Sequence, residues 1–325
     1  MTQLSDVNLS SSGVRKVARK MKRSPNELST PANAFWHVLF VLGCLICLLP
    51  LWIVISASFT SEPALIKYGY GFWPAEFSAG AYTFLFTSGG GMVVTAYRNT
   101  ILATLFGTVL CTLSVGLYAY PISRKDFRFS GFFTFFSFFT MLFNAGTIPF
   151  YLLCTSVLHI NNTLFALFLP LSFSAYWVII MRSFYKSNVP DEVVESARID
   201  GAGEWRTLTQ IVAPLAIPGF ATVSLFAAVG IWNNFFNCLL LVNKDQYINL
   251  QYMIYRILRS IQYLKEMAAS GSGAGSAQGG ISLAEMPSET FRMAMAVVTM
   301  GPIVLAYPFF QKYFVKGLTI GAVKG

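Results

Sequence analysis

Six stretches of this sequence, at about 35–58, 97–121, 131–153, 163–183, 219–242 and 292–314, are long and apolar enough to cross a bilayer. A hydrocarbon core about 30 Å thick takes about 20 apolar residues in helical form. The cores of these runs contain no Asp, Glu, Lys or Arg. Within hydrocarbon a backbone must satisfy its own hydrogen bonds, and runs this long and uniform do so as helices. Composition closes off the soluble alternative. The chain is 55% hydrophobic and 11% charged, with a mean hydropathy of +0.57. A soluble domain has about 25% charged residues to cover its surface.

Orientation follows from the basic residues. Placing the N-terminus in the cytoplasm puts sixteen of the 23 Lys and Arg residues on the inner side, and the opposite placement reverses the ratio. Those sixteen lie in the N-terminal tail, the 122–130 turn, the 184–218 loop with its flanks, and the C-terminus. The expected form is N-in and C-in, with a basic cytoplasmic tail at 1–33 and one membrane domain at 34–325. Arg15, Lys16, Arg19, Lys20, Lys22 and Arg23 crowd the tail without an apolar run or cleavage site beside them. They read as a retained anchor and not as a signal peptide or a nucleic-acid patch. The outer connections are about 59–96 and about 243–291. The second holds the flexible run SGSGAGSAQGG at 270–280.

The chemistry an enzyme would need is missing from the residue pattern. Gly is never followed by Lys, so there is no phosphate-cradling Walker A loop. His37 and His159 have no partners at metal-ligand spacing, and no GxSxG occurs. Cys44 and Cys47 form a CxxC inside an apolar run, where they read as small fillers. None of the six cores offers a carboxylate for proton coupling, so the usual machinery of a secondary carrier is also missing. No catalytic residue, metal or cofactor is expected.

One hydrophilic loop stands apart, between the fourth and fifth runs at 186–218. Pro190 can open a helix, and Asp191 and Glu192 suit its first turn. Val193, Val194, Ala197 and Ile199 supply an apolar surface, Gly201-Ala202-Gly203 stops the helix, and a second begins at Glu204. Pro214 and Pro218 are expected to break that second helix before the fifth run. A turn needs only a few residues, so a long loop with ordered helix signals reads as a docking surface.

The spacing Glu195-Ser196-Ala197, Gly201, Ile211-Val212-Ala213-Pro214 resembles the EAA loop of binding-protein-dependent ABC importer permeases. Ser196 and Ala213 depart from that pattern with small residues. IWNNFF at 231–236 is similar to the Trp-Asn-x-Phe signature of sugar permeases, and YFVKGLTIGAVKG at 313–325 is similar to their ending. The stretch before it resembles maltose-type second subunits of the LplC-like subgroup.

The resemblance implies a type I ABC importer permease fold: an all-α membrane protein with six transmembrane helices and a cytoplasmic coupling helix between spans 4 and 5. It also implies a bacterial inner-membrane location. The partners it implies are a second permease subunit in a heterodimer, an ATPase dimer that hydrolyses ATP, and an extracytoplasmic sugar-binding protein. Glu195, Ser196, Ala197, Asp200, Gly201, Ile211 and Pro214 are then the ATPase-coupling residues. Glu195 and Asp200 would pair with basic groups on the ATPase, and Ala197 and Gly201 would stay small for its close approach. The cargo implied is a sugar, in particular an oligosaccharide. A non-sugar solute, or transport as a stand-alone carrier, are the alternatives. Asn144, Tyr176, Trp177, Asn233, Asn234, Phe235 and Asn237 are candidates for the substrate pathway, because sugars take hydrogen bonds and aromatic faces. Asn233 and Asn234 could equally bond neighbouring helices. The absence of charges in the span cores suits a neutral oligosaccharide, and an acidic one handled by the partner subunit is the alternative.

Overall fold

A computed structural model of the chain describes residues 30–88, 90–143, 145–269 and 289–322. The basic residues of the tail, Asn144 and the 270–280 run lie outside them. Two compact units divide the chain, Met1–Ile53 and Val54–Gly325. The first contributes most of α1 (Thr30–Ser58), a helix without a charged residue. Everything below concerns the second unit.

Its helices follow the apolar runs, with breaks that hydropathy does not report. After α2 (Glu62–Tyr68) and α3 (Gly80–Ser88), α4 (Gly90–Ser123) is one continuous helix. The third run divides into α5 (Ser130–Leu142) and α6 (Thr147–Leu152), the latter continuing into a π turn at Leu153–Val157. The fourth is a short α7 (Phe165–Phe168) with a 3-10 turn at Leu169–Leu171, bent by 50° from α8 (Ala175–Asn188). Pro170 sits in that turn, where a missing N–H is tolerated. Among the described residues, two helices are long and apolar enough to span a membrane as they stand, and up to five crossings result if each bent pair is one span. No strand occurs among these residues, only an isolated antiparallel bridge between Thr60 and Phe77.

Beyond α8 come α9 (Asp191–Ile199), α10 (Glu204–Arg206), a π stretch at Thr207–Val212 and α11 (Ala213–Leu215). The fifth run is α12 (Ile217–Trp232) followed, after a break, by α13 (Phe236–Leu241). An amphipathic α14 (Leu250–Ala269) and the long α15 (Glu289–Ala322), which covers the sixth run, complete the chain.

Helix α4 is the axis of the packing. Small residues let its neighbours come close, the usual device where hydrophobicity alone cannot drive helices together. A Cβ added at Gly116 would sit 2.7 Å from the Phe220 ring on α12, and one at Gly107 would sit 2.7 Å from both Ile231 and Phe168. Thr112 and Ser224 hydrogen bond across the same α4–α12 seam at 2.9 Å. Two apolar cores result. One surrounds Val93, Ala96, Trp232, Leu250 and Met295. The other gathers Val115, Ala119, Tyr185, Val194 and Val212, which places the loop after α8 against the far end of α4. At the first end, Glu62 accepts the backbone N–H groups of Glu289 and Thr290 at 3.0 and 2.9 Å, a carboxylate placed at the positive end of α15.

Candidate functional site

The loop between α8 and α12 is built from local signals. Val189 is extended ahead of Pro190, as a residue preceding proline prefers. Pro190 stands just outside α9 as its cap, one residue earlier than the sequence suggests, and Asp191 and Glu192 fill the first turn. Along α9 only Val194 and Ala197 are buried, 3% and 6% exposed, one turn apart and facing the chain's own core. Ile199 points away at 87% exposure, and Val193 is also exposed. The expected apolar surface is therefore two surfaces, one inward and one outward.

α9 ends in a Schellman turn. Ala202 N–H donates to the Ala197 carbonyl at 2.9 Å and Gly201 N–H to that of Arg198 at 3.0 Å. Gly201 takes φ +79°, the left-handed conformation this motif requires. No atom lies within 4 Å of where its Cβ would be, so within this chain its glycine character is a backbone demand. Ala197 likewise owes its small size to its own core, since it is turned inward. The second helical segment begins at Glu204 as expected and ends at Leu215, between the two prolines expected to break it. Pro214 lies in the last turn of that segment and Pro218 in the first turn of α12. The chain turns by 80° at Ala216, between them.

What holds this platform is the turn after α4, and none of its holding residues stood out in the sequence. Asp191 receives Lys125 Nζ at 2.8 Å and lies 3.8 Å from Arg124. The Lys125 hydrogen bond holds the Asp191 carboxyl below its ordinary pKa. Arg198 bridges Asp126 at 2.5 Å and Glu204 at 2.7 Å. Tyr120 donates its hydroxyl to the other oxygen of Glu204 at 2.8 Å. Arg182 donates to the Ile122 carbonyl at 3.0 Å, and buried Tyr185 to that of Gly116 at 3.2 Å. Arg124 itself is buried against the Tyr120 ring, with Nε and Nη2 unpartnered among the described residues. The Arg124-Lys125-Asp126 triplet was visible only as cytoplasmic charge, because nothing in one sequence pairs it with residues about 70 positions away.

A cavity of about 270 Å³ lies between this turn and α9, lined by Arg124, Lys125, Asp126, Asp191, Glu192, Val194, Glu195 and Arg198. Glu195 opens onto it. Glu195, Ser196, Asp200 and Gly201 are exposed, Ile211 is half-buried, and Pro214 is exposed on α11. Trp205 lies 68% exposed. Ile199 and Trp205 are large apolar side chains exposed beside the acids of this platform.

The candidate pathway residues fall in two places. Tyr176 and Trp177 open α8, and Trp177 stacks on Phe226 of α12 at 5.2 Å. Asn233, Asn234 and Phe235 form the break between α12 and α13, where Asn234 Oδ1 accepts the Asn237 N–H at 3.0 Å. Asn233 is exposed, Asn234 half-buried and Asn237 buried. No hydrogen bond or ring contact joins the two groups among the described residues.

Comparison with known proteins gives a consistent picture. The model of a family described as "Binding-protein-dependent transport system inner membrane component" matches residues 91–320. The chain is 34% identical over 286 residues to the polygalacturonan/rhamnogalacturonan transport system permease protein YtcP of Bacillus subtilis, covering 88% of this chain and 95% of that protein. It is 32% identical to protein LplC of the same organism, over 89% of this chain and 94% of that one. Among solved structures, it is similar to a chain of a bacterial ABC transporter involved in the import of the acidic polysaccharide alginate. The TM-score is 0.71 at 28% identity, covering 90% of this chain and all of that one.

Proposed function

The chain belongs to the family of binding-protein-dependent transport system inner membrane components, and on that premise we propose that it imports oligosaccharides with the help of an ATPase it does not itself contain. It is a membrane permease subunit of an ABC transporter. We read it as six crossings with both termini in the cytoplasm and the membrane domain over 34–325. A second permease subunit, an ATPase dimer and an extracytoplasmic binding protein complete the assembly. Glu195, Ser196, Asp200 and Gly201 form the outward face that meets the ATPase. Ala197 supports that face from behind, and Ile211 and Pro214 extend it onto the segment that follows.

The observation that carries this reading is the anchoring of α9. Surface ion pairs are individually weak, so a short helix is held firmly only where several of them act together. Here Asp191 and Arg198 tie both ends of α9 to residues 124–126, at the end of the axis of the packing. Displacement of the platform by an ATPase is therefore passed to α4, and through its seam with α12 to the bundle, as rigid-body motion.

The cargo reading draws on the relatives, whose names specify galacturonan-type and alginate polysaccharides. The test is uptake into proteoliposomes carrying the complete four-component assembly, with oligogalacturonides and neutral oligosaccharides offered in turn. ATP-dependent accumulation of an oligosaccharide is expected, and only when the binding protein is present. Uptake that proceeds without ATP or the ATPase would replace this reading with a stand-alone carrier. ATP-dependent uptake confined to non-saccharides would keep the importer and discard the cargo.

A further inference from the structure

The break in the fifth crossing carries side chains that coupling does not use. Asn234 and Asn249 build it. Asn249 Nδ2 donates to the Asn234 carbonyl, and its Oδ1 accepts the Tyr252 N–H at 3.1 Å, which starts α14 beside the break. With the Asn249 amide spent internally, half-buried Gln251 donates its Nε2–H to Oδ1 of exposed Asn233 at 3.4 Å. Phe235 next to them is 37% exposed, and its ring stacks on Tyr255 at 5.1 Å. One turn further along α14, the Arg259 guanidinium lies 5.4 Å from the Tyr255 ring centre, and its Nε donates to the Tyr255 hydroxyl at 3.1 Å.

The two arginines of α14 are in different situations. Arg256 is neutralised by Asp245 at 2.6 Å. Arg259 is exposed, and among the described residues it forms no ion pair. The packed face of α14 runs through Leu250, Met253, Ile257 and Leu258, so Arg259 stands on the other side. Amides and a guanidinium facing hydrocarbon are costly. With 243–291 read as an outer connection, this surface lies at the aqueous mouth of the bundle.

We propose that Asn233, Phe235, Gln251, Tyr255 and Arg259 form a subsite for a carboxylated saccharide, on the side of the bundle opposite the coupling platform. Each group supplies what a uronate-type sugar needs. Phe235 offers an aromatic face for the apolar side of a sugar ring. The paired amides of Asn233 and Gln251 offer both donors and acceptors for its hydroxyls. The Arg259 fork, held over Tyr255, meets the carboxylate. Gln251 and Arg259 are about 12 Å apart along the helix axis, so the strip is long enough for more than a single ring. The sequence reading named Asn233 and Phe235 but left any acidic cargo to the partner subunit; Arg259 gives this subunit its own means of recognising charge. The proposal rests on the importer reading above.

The test uses the complete assembly in proteoliposomes at saturating binding protein, with an oligogalacturonide and its carboxyl-reduced, neutral counterpart. Arg259→Gln is expected to slow uptake of the charged sugar roughly tenfold, the worth of one charge-assisted contact, and to leave the neutral form's rate where it was. Arg259→Lys should recover part of the loss, and Phe235→Ala should slow both sugars. Equal effects of Arg259→Gln on both sugars, or no effect on either, overturn the subsite while leaving the importer intact. If Arg259→Gln prevents assembly with the second permease, the patch is a subunit contact and the subsite falls. If the wild-type assembly moves no saccharide, the importer reading fails first and takes the subsite with it.

Discussion

Gly201 shows how one residue can be legible in a sequence for an incomplete reason. Its place in the EAA-like spacing suggested that it stays small so that a partner can approach. The structure adds a demand from within the chain: it closes a Schellman turn at φ +79° with open space around the missing Cβ. The two reasons rank substitutions differently. Alanine in the left-handed region costs about 1–2 kcal/mol, whereas asparagine visits it routinely. If backbone conformation governs, Gly201→Asn keeps more thermal stability and more ATPase association than Gly201→Ala. If close approach governs, the larger Asn is the worse of the two. Measuring both properties on the purified assembly decides between them, and the geometry here favours Asn. Ala197 was likewise assigned to the partner by its motif position. Burial inside its own chain was not readable from the spacing, because an apolar stripe on a short helix does not say which neighbour it meets.

Among the elements, α9 and the turn after α4 make the relationship that matters most, and it was the least visible beforehand. Helix α9 itself could be read from Pro190, the first-turn acids and the glycine stop, because those are local signals. The turn was readable only as basic charge, since ion pairs between residues distant in sequence leave no local mark. The π stretch at Thr207–Val212 left no local mark in the sequence, whereas the 80° turn at Ala216 falls between Pro214 and Pro218, the two prolines expected to break the helix. Exposed ion pairs are individually worth only about 0.2–1 kcal/mol, so any effect must come from the network. Arg198→Ala strips partners from both Asp126 and Glu204, and should lower the melting temperature of the assembly more than Asp126→Ala. The double variant should fall short of the sum of the two, the signature of coupled neighbours. Strict additivity would mean that Arg198 and Asp126 do not act as a latch.

For the whole molecule, the apolar runs announced a membrane bundle, and the EAA-like spacing announced the family that the chain belongs to. The breaks within the third, fourth and fifth runs were invisible, because hydropathy averages over a window and is blind to a bend. One of those breaks, at Asn233–Phe235, carries the proposed sugar contacts; the other end of the bundle carries the proposed coupling platform. Coupling and cargo recognition are thereby divided between the two ends of the bundle. Its most direct test is cross-linking in the intact assembly from two engineered cysteines. One is Ser196→Cys on the exposed face of α9, and the other is Gln246→Cys beside the start of α14, where the Gln246 carbonyl accepts from Asn99. A short cross-linker should join Ser196→Cys to the ATPase and should never join Gln246→Cys to it. An ATPase that co-purifies yet cross-links from Gln246→Cys, or fails to cross-link from Ser196→Cys, would contradict the assignment of residues 186–218 as the place where this subunit receives work.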